Sequence, residues 1–281
     1  MGLPVRIRLY GPTDQAAKIA ATAAFARVAV LDQMMSDYRP DSELRRLGTV
    51  GGTWLVVSPE LFAVLARASE IARATGGAFD PTVGPLVALW RDARQSRRMP
   101  DASALNAAKS LVGWRHIHLD PSRQAIRLAR PGMRLDLGGI AKGYIIQQAL
   151  RTMASLGVTR ALVEAGGDIV VGDAPPGRDG WRIDVEGTDA AFSARAARLT
   201  NAALATSGPT AQFVEIGGVQ YSHVVDPRTG LGLTNHVTAR VIAADAATAD
   251  ALATALTVVA PKRVSGILPR FPHVVASVSR Q

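Results

Sequence analysis

Strand and helix patterns follow one another along this chain without regular alternation, and this order constrains the fold more than any other feature. Residues 5–10 alternate between apolar and polar side chains, which predicts a strand. Residues 14–35 predict a long helix, which is followed by a turn-rich polar segment at 36–47. A doubly wound sheet needs strands and helices in strict alternation, so the pattern favours an α+β fold.

Capping and turn residues predict where the other elements lie. Ser58-Pro59-Glu60 is typical of a helix start, and Gly76-Gly77 of the end of that helix. Further helices are expected at 140–156 and 246–259, and a hairpin at 116–128. The first helix is expected to bury one apolar stripe, formed by Ile19, Ala23, Ala26, Val30 and Met34. Further strands are predicted at 161–164, 169–171, 181–186, 199–205, 212–216, 220–225, 238–243 and 271–278.

The composition excludes several classes of function. The 281 residues are 48% hydrophobic and include no cysteine, which excludes disulfides, thiolate metal sites and a cysteine nucleophile. Lys and Arg exceed Asp and Glu by enough to give a net charge of +9. An excess of positive charge favours anionic partners such as phosphates.

The sequence also bears on location. No apolar run approaches the roughly 18 residues of a spanning helix, so no transmembrane segment is expected. The first residues lack the apolar core of a signal peptide. The chain as written is therefore expected in the cytoplasm, or in the periplasm or at the inner membrane if a leader was trimmed.

Common catalytic signatures are absent from the chain. It contains neither the GxxxxGK[ST] phosphate loop nor the GxGxxG dinucleotide fingerprint. It also has neither the HExxH zinc motif nor the GxSxG nucleophile elbow. Four glycine-dense segments with polar side chains remain as candidates for the site: residues 76–86, 135–144, 222–230 and 248–256.

The segment 135–144 is a candidate anion site. A strand ending at Asp136 is predicted to meet a helix start through Gly138 and Gly139, where backbone N–H groups are free to bind an anion. Lys142 adds positive charge in the first helical turn, where cations are normally unfavourable, so an anionic ligand would explain it. The alternative is a tight turn followed by a solvated lysine.

Asp250 and Thr254 are a candidate cation site. They lie four residues apart on a predicted helix, so their side-chain oxygens share one face. A carboxylate and a hydroxyl form a plausible partial shell for Mg²⁺, which takes its other ligands from water and substrate phosphates. The alternative is that Asp250 faces solvent on an alanine-rich helix.

His223 and Asp80 each have two interpretations. His223 precedes the turn at Asp226-Pro227 and is either a general base or a structural histidine that caps the turn. Asp80 lies in a rigid loop, where an aspartate either makes a local side-chain turn or bonds to a ligand.

Together the four segments resemble the flavin transferases, the FAD:protein FMN transferase family. Other matches follow in the same order along nearly the whole chain: Met1-Gly2, residues 35–44, residues 164–168 and residues 205–208. The resemblance implies a single α+β domain over 1–281 with a central nucleotide cleft. It also implies that the protein binds FAD and Mg²⁺ and moves FMN onto a Thr or Ser of an acceptor flavoprotein, releasing AMP.

The resemblance assigns roles to individual residues. Tyr38 is expected to contact the isoalloxazine, with Met1 near it, and His223 to deprotonate the acceptor hydroxyl. The magnesium ligands are expected to be the Gly139 carbonyl and the side chains of Asp250 and Thr254. The other expected FAD contacts are Ala78, Phe79, Asp80, Asp136 and Lys142.

The chain departs from the family pattern at two positions near the expected site. Ala247 stands where some members carry an aspartate, which removes one charge from the metal shell, and Lys142 stands where some carry glutamate. An FAD pyrophosphatase and a non-catalytic flavin-binding protein remain as alternatives. Nucleic-acid binding is not expected, because the arginines are scattered except for Arg91, Arg94, Arg97 and Arg98, which have no aromatic stacking platform beside them.

Overall fold

The computed structural model describes residues 3–184, 196–208 and 213–280. The helices of these residues are α1 (Asp14–Met35), α2 (Glu43–Thr49), α3 (Pro59–Ala74), α4 (Gly84–Ser96), α5 (Ala102–Ser110), α6 (Ala141–Ser155), α7 (Ala246–Val258) and α8 (Pro261–Ile267). The strands are β1 (Val5–Tyr10), β2 (Leu55–Val56), β3 (Ile117–Asp120), β4 (Ala125–Leu128), β5 (Arg160–Ala165), β6 (Asp168–Val171), β7 (Trp181–Asp184), β8 (Ala196–Leu199), β9 (Ala202–Ser207), β10 (Phe213–Ile216), β11 (Val219–Ser222), β12 (Val237–Ala243) and β13 (Val275–Arg280).

A six-stranded antiparallel sheet in the order β1-β5-β6-β9-β12-β13 forms the framework. Helices α6 and α7 pack on this sheet and on each other, and α1 and α3 pack on them from outside. Three smaller sheets surround this framework: β2-β4-β3, the pair β7-β8 and the pair β10-β11. The prediction of an α+β fold is confirmed, whereas the extent of the domain, 1–281, stays a prediction.

Helix α7 lies in the middle of these layers and is almost wholly buried. Each of its residues is buried except Thr254, which is half-buried. A helix buried on all sides is expected to be apolar, and α7 is mostly alanine and leucine. The polar residues that it does carry therefore need partners inside the protein.

Helix α1 has the predicted bounds but not the predicted buried stripe. Ile19 and Val30 are exposed, and the helix instead buries Ala20, Ala24, Val28, Leu31 and Met35. The buried stripe faces α6, and its small alanines let the two helix backbones approach closely. The predicted and the observed stripes each hold two alanines and three larger apolar residues, so the apolar pattern alone does not distinguish them, and packing against α6 selects the buried one.

Two other expectations near the site are wrong. The residues before Asp136 form no strand, since the Asp136 N–H donates one isolated bond, to the Pro81 carbonyl at 2.8 Å. The polar segment 36–47 includes the start of α2, which Ser42 caps by accepting a hydrogen bond from the Arg45 N–H. The hairpin turning after Asp120 and the helix starting at Pro59 are as predicted. In the described part of the chain, no helix combines the length and apolarity needed to cross a membrane.

Candidate active site

The crossing of α6 and α7 brings two of the glycine-dense segments together. A Cβ atom on Gly143 would lie 2.0 Å from the Ala246 carbonyl oxygen, so only glycine permits this approach. The Gly143 N–H donates to Asp250 Oδ2 at 3.1 Å. A Cβ atom on Gly139 would lie 2.9 Å from Thr254 Oγ1. Two residues four apart on α7 therefore meet two residues four apart at the start of α6.

Lys142 lies between two buried carboxylates. Its Nζ donates to Asp250 Oδ1 at 3.2 Å and makes a short contact with Asp168 Oδ2. Asp168 and Asp250 are 1% and 4% exposed. Lys142 is therefore not a solvated lysine, because protein carboxylates balance its charge, and its contact with FAD stays a prediction. The alternative that Asp250 faces solvent is wrong, because this residue is buried.

The electrostatics of this triad are dominated by burial. Burial, together with the charge of Asp250, raises the pKa of Asp168 to about 8, although Lys142 acts in the opposite direction. Burial tends to lower the pKa of Lys142, but the charges of Asp250 and Asp168 raise it above the usual lysine range. The triad holds two carboxyl groups and one ammonium, and a further cation nearby would favour the ionised form of Asp168.

The oxygens beside this triad suit a hard cation. The Thr254 hydroxyl lies against Gly139, and the Asp250 carboxylate, one turn earlier on α7, accepts from the Gly143 N–H; Mg²⁺ prefers such oxygen ligands. Asp168 Oδ1 is buried without a hydrogen-bond partner in the described residues. Those same residues contain no group of three or more His, Asp or Glu that could hold a metal alone. A cation here would take its remaining ligands from substrate or water.

Asp136 anchors the loop before α6. Its Oδ1 accepts a hydrogen bond from the Gly138 N–H at 2.7 Å, and its Oδ2 lies 3.3 Å from Arg91 Nη2. Burial raises the pKa of Asp136, and the neighbouring charge of Asp37 raises it further. The acid is therefore part of a small charged cluster and not an isolated strand-end residue.

Tyr38 lies in the loop between α1 and α2 and is 71% exposed. The guanidinium carbon of Arg91 stands 4.0 Å from the centre of the Tyr38 ring. Arg91 Nη2 also lies 2.5 Å from Asp37 Oδ2. The structure thus joins Tyr38 to Asp136 through an arginine that the sequence indicated only as part of a basic, exposed stretch.

Asp80 makes the local turn that was one of its two interpretations. Its Oδ1 accepts from the Thr82 N–H at 2.9 Å and from Thr82 Oγ1 at 2.6 Å, and its Oδ2 accepts from the Trp114 N–H at 2.9 Å. Burial raises the pKa of Asp80, although these bonds favour the charged form. Ala78 and Phe79 beside it are buried as well. The contacts of these three residues with FAD stay predictions.

This geometry predicts that Asp80→Asn destabilises the fold. An amide replaces one carboxylate oxygen with a donor, so at least one buried N–H or O–H loses its acceptor. The expected loss is about 1–3 kcal/mol in the free energy of unfolding, measured by urea denaturation. Asp120 is a matched control, because its carboxylate makes the same turn to Ser122 at the surface. Equal stability losses in Asp80→Asn and Asp120→Asn would contradict a buried structural role.

His223 follows β11 directly, and its side chain is exposed between buried Ser222 and Val224. The turn after it is closed by Asp226, whose carboxylate accepts from the Arg228 N–H at 2.9 Å and pairs with the Arg228 guanidinium. Ser222 and Val224 line a small cleft together with Thr257, one turn beyond Thr254 on α7. The structure therefore places the histidine segment against the same helix that carries Asp250.

Sequence reasoning overlooked two of the residues that organise this site. Asp168 was noted only as part of a matching segment, and its position after Gly166-Gly167 in a tight turn between β5 and β6 was the available signal. Arg91 had no signal, since its partners lie far away along the chain. Met1, an expected neighbour of the flavin, lies outside the described residues.

The comparisons with known proteins agree with this arrangement. The model of the ApbE family matches residues 1–278. The chain belongs to the ApbE family. The predicted resemblance is thereby confirmed, because curated proteins named FAD:protein FMN transferase are among the relatives of this ApbE protein. One from Treponema pallidum is 32% identical over 295 residues, covering 98% of this chain and 81% of the relative. One from Klebsiella pneumoniae is 31% identical over 281 residues, covering 95% of this chain and 79% of the relative.

Solved structures of the family share the fold. The ApbE protein of Thermotoga maritima has a TM-score of 0.86 at 29% identity, covering all of this chain (100%) and 94% of the other. The flavin transferase ApbE of Vibrio cholerae has a TM-score of 0.85 at 29% identity, covering 99% of this chain and 93% of the other. Similarity over almost the full length of both chains shows that the sheet and the α6–α7 crossing belong to a known architecture.

Proposed function

We propose that this protein transfers FMN from FAD to the hydroxyl of a Thr or Ser in an acceptor flavoprotein, with Mg²⁺, and releases AMP. Family membership makes the chain a flavin transferase, because its relatives are named for moving FMN from FAD to protein. One observation carries the finer proposal: the side-chain oxygens of Asp250 and Thr254, one turn apart on α7, lie against Gly143 and Gly139 at the start of α6. These oxygens are a partial shell that a pyrophosphate would complete.

The start of α6 is suited to the diphosphate of FAD. The helix dipole favours an anion at the start of α6, and Lys142 lies in this first turn, where the Ala141 and Gly143 N–H groups already have acceptors within the protein. Asp168 and Asp250 hold its ammonium in place, so the positive charge is oriented before the substrate arrives. Bound magnesium would neutralise charge on the phosphate oxygens and so lower the barrier to phosphoryl transfer.

The proposed reaction is one displacement at phosphorus. The acceptor hydroxyl oxygen forms a bond to the phosphorus on the FMN side, and the bond from that phosphorus to the bridging oxygen breaks. AMP leaves with the electron pair. The hydroxyl proton passes to the imidazole of His223, whose exposed position at the end of β11 leaves it accessible to another protein. Positioning and charge stabilisation do most of the catalytic work in such transfers.

The direct experiment mixes the protein with FAD, Mg²⁺ and a flavoprotein subunit and examines a denaturing gel for fluorescent acceptor. Labelling is expected with Mg²⁺ and not with a chelator. Release of AMP with an unlabelled acceptor would mean that water is the acceptor and the protein is a pyrophosphatase. If FAD binds but no AMP is released and no acceptor is labelled, the protein is a flavin-binding protein without catalysis.

Tyr38 gives a separate prediction about flavin binding. Its ring is exposed, so Tyr38→Ala should weaken FAD binding by removing a stacking partner. Aromatic stacking contributes roughly 0.5–1.5 kcal/mol beyond buried area, which is at most about tenfold in affinity. Tyr38→Phe keeps the ring and should bind FAD nearly as well as the unaltered protein. Equal losses in both variants, measured by titration calorimetry, would instead indicate a hydrogen bond from the hydroxyl.

A further inference from the structure

Arg91 connects three segments that the sequence keeps far apart. It lies on α4, and its Nη2 lies 2.5 Å from Asp37 Oδ2 and 3.3 Å from Asp136 Oδ2. Its guanidinium carbon lies 4.0 Å from the centre of the Tyr38 ring. One side chain thus pairs with the acid beside Tyr38, with the acid before α6, and with the face of the tyrosine itself.

The charges in this cluster keep the arginine in place. Asp37 and Asp136 are mostly buried, at 18% and 11% side-chain exposure, and their two negative charges flank one guanidinium. Removing one partner of a buried charge pair is costly, so the arginine is committed to these contacts. A planar guanidinium can pair with carboxylates at its edge and stack on an aromatic ring with its face at the same time.

The stacking leaves Tyr38 with one covered face. Tyr38 remains 71% exposed with Arg91 in place, so a flat ligand can reach the rest of the ring. The backbone of its loop is held by Ser36 Oγ, which accepts from the Tyr38 N–H at 3.2 Å. That bond orients the main chain, whereas the contact with Arg91 orients the ring.

We propose that Arg91 is a positioning residue for flavin binding. It holds the Tyr38 ring so that its uncovered face meets the isoalloxazine, and it ties that ring to the Asp136 loop at the start of α6. The inference rests on the proposed function, because it takes FAD as the ligand of Tyr38. Arg91 itself need not touch the flavin, since it acts through the ring.

A double-mutant cycle on FAD affinity tests this role. Arg91→Gln, Tyr38→Ala and the double variant are compared with the unaltered protein by titration calorimetry. The cation–π contact that orients the ring corresponds to roughly 2- to 30-fold in an equilibrium constant, so its loss in Arg91→Gln should weaken FAD binding by no more than that range. In the Tyr38→Ala background the same substitution should have almost no further effect. The visible absorption band of bound flavin should shift toward its free position in Arg91→Gln, as in Tyr38→Ala.

Two variants keep the test decisive. Arg98→Gln removes an exposed positive charge just beyond α4 and should leave affinity and spectrum unchanged. If Arg91→Gln does not fold, Arg91→Lys enters the same cycle, because it keeps the charge beside the two acids and removes the planar group. An affinity loss that is the same with and without the Tyr38 ring, or no loss at all, overturns the role of Arg91. Failure of the unaltered protein to bind FAD would instead overturn the proposed function.

Discussion

We expect His223→Ala to lower FMN transfer by about 10²–10⁴-fold, the usual range for loss of an acid–base group. The proposed base acts on the acceptor hydroxyl and not on FAD. Because the nearby turn is closed by Asp226 and Arg228, removing the imidazole should not loosen it. Affinities for FAD and Mg²⁺, measured by titration calorimetry, should therefore stay close to those of the unaltered protein.

The pH dependence of transfer gives an independent check on His223. Only neutral imidazole accepts a proton, so transfer should rise with pH as the His223 imidazole loses its proton. In His223→Ala that rise should disappear while a low, flat rate remains. Joint loss of FAD affinity and folding stability in His223→Ala would indicate a structural histidine. Unchanged binding together with unchanged transfer would exclude the catalytic role altogether.

Asp250→Asn has the second large expected effect, on the response to Mg²⁺. A neutral amide is a poorer ligand for this ion than a carboxylate. Even residues that only support metal ligands typically cost 10–100-fold in affinity or activity when altered, so a ligand should cost about 100-fold or more. The measurement is the Mg²⁺ concentration that gives half-maximal transfer, together with Mn²⁺ binding followed by electron paramagnetic resonance.

Thr254 supplies the matched control for the metal assignment. Asp250 also bonds to Lys142 and to the Gly143 N–H, so its replacement disturbs more than a metal ligand. Thr254→Val removes only the hydroxyl at nearly constant volume, whereas Thr254→Ser retains it. We expect Thr254→Val to weaken Mn²⁺ binding and Thr254→Ser to preserve it. If Asp250→Asn and Thr254→Val both bound Mn²⁺ normally, the metal assignment would be wrong.

Features that depend on residues close together in the sequence could be predicted from it. The start of α3 follows from Ser58, whose hydroxyl accepts from the Leu61 N–H, and from Pro59 at the first helical position. The i,i+4 spacing of Asp250 and Thr254 correctly placed both oxygens on one side of α7. Gly138 and Gly139 indicated a close approach of the backbone to a ligand, whereas the close approach that the structure shows at Gly139 is to α7.

Features that depend on distant contacts could not be predicted in the same way. Lys142 meets Asp168 and Asp250 only because the sheet and the two helices pack, and these partners lie 26 and 108 residues away. The buried face of α1 is the one that packs against α6, and the apolar pattern of α1 contains a second stripe of similar composition. Arg91 was expected to be exposed because it stands among other arginines, yet Asp37, Tyr38 and Asp136 surround it.

The ratio of AMP released to acceptor labelled tests the proposed function most directly. The protein is incubated with FAD, Mg²⁺ and a flavoprotein acceptor, AMP is quantified by chromatography, and the acceptor is weighed by mass spectrometry. The proposed displacement predicts one FMN on a Thr or Ser for each AMP released, and no label after that residue is replaced by alanine. AMP release that continues at the same rate without an acceptor, leaving the acceptor mass unchanged, would contradict it.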